Sequence, residues 1–195
     1  MANGLVADVN AKSFAELLSG PLIDIYVGED ARHWALHRNL LCYHSDFFEK
    51  PCVTDSKAKN SKIELLNDDP RAFELLVKWL YQGRLDDVAD MPSDKKWEYA
   101  DTCQRLYILC DRMNLPQLKN HAIDQFRRGC FGAGLVPGPE EMKPIYESTP
   151  RSSPFRKVQE AFHIPLYHPR SHNLCFWGKR KDFAFRIDRK SETNH

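Results

Sequence analysis

The segment at residues 67–83, NDDPRAFELLVKWLYQG, leaves little choice of local structure. Asp69 can cap a helix with its carboxylate, Pro70 brings the fixed φ that suits a first helical position, and Gly83 supplies a stop. Between them Phe73, Leu76, Val77 and Leu80 recur at i, i+3, i+4 and i+7, which draws one apolar stripe. A helix with one such stripe must lie against something, so the segments on either side decide the fold class.

Upstream, residues 22–28 (LIDIYVG) are rich in β-branched and aromatic residues and predict a strand ending at Gly28. HWAL (33–36) is its hairpin partner across the turn-like GEDAR, and KIELL (62–66) reads as a third strand. RNLLCYH and SDFFEK form a helical pair stopped by Pro51, followed by a polar, turn-rich loop to residue 61. SFAELLSG (13–20) is a short helix whose Ser13 and Glu16 have capping-box spacing, closed by Gly20 and Pro21. Downstream, residues 95–114 put Cys103, Leu106, Tyr107 and Cys110 on one helical face. The next helix starts at Pro116, with Leu118, Ala122 and Phe126 inward, until Gly129, Gly132 and Gly134 break the pattern. Residues 138–148 and 153–162 predict two more helices. Pro144 interrupts the first, and the second has Ser153 as cap and Phe155, Val158 and Phe162 apolar. Strands early and helices late predict an α+β fold: a small three-stranded sheet packed on a cluster of helices, with a C-terminal helical extension. The expected divisions are an N-terminal arm (1–21), a main domain (22–131), the extension (132–164) and a basic aromatic tail (165–195).

Composition narrows the functional classes. Lys and Arg number 28 against 27 Asp and Glu, a net charge of +1, which gives no global field to draw nucleic acid or a membrane surface. No apolar run approaches the roughly 20 residues of a membrane helix, and Asp8 and Lys12 break the stretch a signal peptide would need. Without export the six cysteines are expected as reduced thiols, which points to cytosol or nucleus. The tail carries Lys179, Arg180, Lys181, Arg186, Arg189 and Lys190 against Asp182 and Asp188. With Phe183 and Phe185 interleaved it could contact nucleic acid, but a solvated tail is the simpler reading. His163, His168, His172 and Cys175 are the best metal-like set, yet Pro165 and Pro169 break any helix that would align them, so no metal is expected.

His37 is the residue most open to a catalytic reading, with Ser45 and Asp46 close in sequence. No Gly-x-Ser-x-Gly elbow surrounds Ser45, and the spacing of His37, Cys42 and His44 matches neither C-x-x-C nor H-x(3–5)-H pairs with a second ligand pair. The expected role is structural: a buried imidazole hydrogen-bonded to backbone at a strand-to-helix junction.

The ordered set of these elements resembles the BTB (POZ) domain family in its fungal form. Asp24, Gly28, Trp34, His37, Arg38, Leu41, Ser45, Phe47 and Phe48 stand at the positions of the family's opening pattern. Asp69, Pro70, Phe73, Tyr81 and Gly83 match the strand, Asp-Pro, Phe and Tyr-x-Gly segment that follows. Leu106, Tyr107, Asp111, Leu118 and Asn120 match its helix pair, and Tyr146, Thr149, Pro150, Phe155 and Arg156 the fungal extension. The resemblance implies a non-enzymatic protein–protein interaction module without cofactor that forms a homodimer and recruits a partner. It implies an interface made by Phe14, Leu17, Leu18, Leu40, Leu41 and Tyr43, and a charged pocket in which Asp24 pairs with Arg38. His37, Ser45, Phe48, Pro70, Phe73, Tyr81 and Gly83 are implied as structural signature residues. The alternative within the resemblance is a substrate adaptor of a cullin-based ubiquitin ligase; a transcription-associated factor using the basic tail is an alternative of a different class. The connection DDVADMPSDKK lacks a clear form of the apolar-x-Glu signature of cullin-binding members.

Overall fold

A computed structural model describes residues 8–49 and 62–163. The tail after Pro165, with its histidines and its basic run, lies outside the described residues.

Three strands form one mixed sheet in the order β2-β1-β3. β1 (Leu22–Val27) pairs antiparallel with β2 (Arg32–His37), Asp24 opposite Ala35, and parallel with β3 (Lys62–Leu65), Ile25 opposite Ile63. The strand read from sequence is real: Ile23, Ile25 and Val27 are fully buried while Leu22 is exposed. The hairpin turns through Gly28 at φ +77° and Ala31 at φ +48°. Gly28 is fixed by more than the turn. A Cβ there would lie 2.7 Å from Cγ of Pro70, so two positions far apart in sequence are shaped to each other.

α1 (Ala11–Leu17) precedes the sheet and α2 (Arg38–His44) follows β2 directly, leading into a 3₁₀ turn at Asp46–Phe48. α3 (Pro70–Gln82) is capped as expected: Asp69 Oδ1 accepts from the Arg71 amide at 2.7 Å, Pro70 opens the helix, and Gly83 ends it at φ +69°. Its buried face is broader than one stripe. Ala72, Leu75 and Trp79 join Phe73, Leu76 and Leu80, whereas Val77 is only half-buried. The reason is that α3 is sandwiched: Phe73 packs on Trp34 of β2, ring centroids 5.0 Å apart, while the long helix α4 (Ser93–Arg112) lies against another side.

α4 (Ser93–Arg112) and α5 (Pro116–Ala133) form the most extensive helix pair. Cys103, Leu106, Tyr107 and Cys110 of α4, and Leu118, Ala122 and Phe126 of α5, are buried as their spacing predicts. α6 (Pro139–Ser148) runs through Pro144, and α7 (Pro154–His163) follows. Both helices enter the main core rather than forming a separate layer. Ile145 and Phe155 are fully buried, and Phe155 sits between Tyr107 and Phe126 at centroid distances of 4.8 and 4.7 Å. The Ser153 hydroxyl lies 3.0 Å from the Tyr107 hydroxyl. Gln159, fully buried, donates to Gln104 Oε1 at 3.0 Å. One hydrophobic cluster thus runs from β1 to α7.

Candidate interaction surface

α1 is built differently from every other helix. Its cap is Asn10, whose Oδ1 accepts from the Ser13 amide at 3.0 Å, so the helix begins at Ala11, three residues before the start that a Ser13 cap would give. None of its residues is fully buried. Phe14, Leu17 and the C-capping Leu18 are half-buried, resting against the core on the side of α2. Asn39 holds the helix end in place, its amide donating to the Ser19 carbonyl at 2.8 Å. Leu22, close after α1, leaves 48 % of its surface exposed. An isolated seven-residue helix is unstable in water, so the contact with α2 is what makes α1 a helix.

α2 corrects part of the expected surface. Leu40 and Leu41 are 1 % and 0 % exposed within the single chain, where they complete the core under the sheet and α3. They cannot serve an interface as side chains. Tyr43 is half-buried and retains an accessible edge. The apolar groups this region offers to a partner are therefore Phe14, Leu17, Leu18, Leu22 and Tyr43.

The expected charged pocket is also rearranged. Asp24 is held by His33, Nε2 to Oδ1 2.7 Å, rather than by Arg38. Strand geometry explains this: Asp24 lies opposite Ala35, and His33, two residues along β2, projects from the same face. Arg38 opens α2, its amide bonded to the Pro21 carbonyl at 3.0 Å, beyond the end of the sheet. Tyr26 stacks on His33, centroids 4.9 Å apart, and the Lys62 ammonium lies 4.7 Å from the Tyr26 centroid. This sheet face is a partly exposed, mixed-charge surface.

The signature residues hold the elements together. His37 is half-buried, and its partner is a side chain rather than backbone: Nδ1 lies 2.8 Å from the hydroxyl of Tyr81 at the end of α3. Neither residue's spacing revealed that they meet. Ser45 receives the Phe47 amide at 3.1 Å and donates to the Met113 carbonyl at the end of α4. Phe48 and Phe73 are fully buried. Tyr81→Phe is expected to lower stability by roughly 0.5–1.5 kcal/mol, the net worth of one such hydrogen bond. His37→Gln should cost a comparable amount, and urea unfolding of the two single variants and the double should show the losses coupled. Losses that simply add would mean the pair does not act as a unit.

Burial pushes the Cys103 and Cys110 thiols up, and that of Cys130 up to about 12, so all three stay protonated and poorly nucleophilic near neutral pH. Among the described residues no three His, Cys, Asp or Glu side chains are gathered to hold a metal ion. None of the helices among the described residues is long and apolar enough to cross a membrane.

Comparison with known proteins agrees with this architecture. No curated protein matches the chain. The family model of the BTB/POZ domain matches residues 14–128, more than half of the chain and the whole run from α1 through most of α5. The chain belongs to the BTB/POZ domain family, whose members are protein–protein interaction modules.

Proposed function

We propose that this chain is a non-enzymatic module that self-associates through α1 and its surroundings and presents the paired domains to a partner protein. The observation that carries the reading is the state of α1. It offers Phe14, Leu17 and Leu18 half-buried, beside an exposed Leu22 and a half-buried Tyr43, so a second copy would finish burying a cluster that its own chain covers only in part. A two-fold contact uses such a patch twice, so a modest cluster suffices. Completing the burial of each side chain contributes some fraction of the roughly 1.5–3 kcal/mol available for a fully buried one.

A cullin-adaptor role is a second reading. Affinity capture of the full chain, scored for co-purified cullin and for a differently tagged second copy, separates the two. Recovery of the second copy supports self-association; recovery of cullin alone replaces it with the adaptor reading.

A further inference from the structure

Three helices meet at a stack of aromatic and imidazole rings that the interaction surface does not use. His44 ends α2, is 5 % exposed, and packs on Trp79 of α3 with centroids 4.8 Å apart. The Trp79 indole N–H donates to His121 Nδ1 of α5 at 3.2 Å. Facing the His44 ring are Tyr43 from its own helix, edge-on at 5.2 Å, and from α3 Trp79 and the Leu80 carbonyl. His121 lies behind Trp79. The Nε2 of His44 is buried with no hydrogen-bond partner among the described residues. No described carboxylate contributes to the ring's proton affinity, which burial and the Leu80 carbonyl set.

A proton added at Nε2 would place a cation among aromatic rings with nothing to receive the new N–H. Burying an unpaired charge is among the least favourable changes a core can undergo. We propose that the His44–Trp79–His121 stack is an acid-sensitive joint, at which protonation of His44 favours a form with α2 parted from α3 and the imidazole in water. α1 rests on α2, so this joint also governs how firmly α1 is held.

The direction in pH follows from the proton affinities. Burial lowers the His44 pKa from its ordinary 6.5 to about 4. Above pH 6.5 both folded and opened chains carry a neutral ring, and the joint loses nothing. As pH falls from 6.5 towards 4 the opened form takes a proton that the closed form refuses, so stability declines across that window and levels off below it. The opening constant should rise by up to about 300-fold, the ratio that such a displacement allows.

The test is urea unfolding of the full chain and of His44→Phe at pH 7.5, 5.5 and 4.0. Carboxylates act on both proteins alike, so the wild type should lose up to about 150-fold more in its folding constant than the variant between the end points, half the limiting ratio because the closed form is itself half protonated at pH 4.0. An equal response would overturn the proposal. Ring-proton NMR of the wild type reads the same property without a variant. A His44 signal that stays neutral through pH 6.5 until the fold opens supports the joint, and one that titrates near 6.5 in the intact fold refutes it.

Discussion

A chain ended at Leu135, just past α5, is expected to lose its cooperative fold although it retains the whole span matched by the family. The two missing helices fill the core rather than decorate it. Without them Tyr107 and Phe126 lose the ring of Phe155, the buried Gln104 amide loses both Gln159 and the Glu141 carbonyl, and the pocket of Ile145 opens to water. Phe155→Ala isolates the largest part of this. Removing a fully buried phenyl ring costs about 3–5 kcal/mol in transfer and cavity terms. Small domains have about 5–15 kcal/mol in total, so that single change should leave a protein unfolded at modest denaturant. Urea unfolding followed by circular dichroism reads both effects. A chain ended at Leu135 with an unchanged midpoint would show α6 and α7 to be a detachable appendage.

Gly129→Val is expected to be nearly as damaging, for the opposite reason. Gly129 lies inside α5, where alanine would ordinarily be better by about 1 kcal/mol. Here a Cβ would stand 2.8 Å from Cβ of Ala100 and 2.9 Å from the Lys96 carbonyl oxygen, both on α4. Neither is the tip of a mobile side chain, so α4 and α5 must move apart along their most extensive contact. Overpacking of this kind costs about 1–3 kcal/mol, and valine adds branching at the same point. Gly129→Ala should lose less, and Ala100→Gly introduced beside it should restore part of that loss by making room. If Gly129→Ala alone raised the unfolding midpoint, helix propensity would outweigh the close approach and the helix pair would be looser than described.

Much of this architecture was legible before any coordinates. The β-branched and aromatic run of residues 22–28, the cap-and-stop logic of Asp69, Pro70 and Gly83, and the stripes through Cys103–Cys110 and Leu118–Phe126 each follow from a local pattern, and each is present. What escaped the sequence is non-local. Trp79 and Leu75 lie outside the single-stripe template and are buried because α3 has neighbours on more than one side. His37 meets Tyr81 across 44 residues, a pairing no spacing rule encodes. Leu40 and Leu41 looked like interface residues because apolar side chains on a short helix carry no label saying which surface they cover; the fold turns them inward. Asp24 carried the same ambiguity, since a carboxylate on a strand pairs with whichever polar side chain the register places beside it, here His33.

Self-association through α1 is tested most directly by light scattering on the full chain at micromolar concentration, beside Leu17→Asp/Leu18→Asp. Both leucines are half-buried, so the charges disrupt what covers them more than the core beneath. The account predicts a dimeric wild type and a monomeric variant with an unchanged circular dichroism spectrum. A wild type that is already monomeric at high concentration, or a variant that stays dimeric, would contradict it.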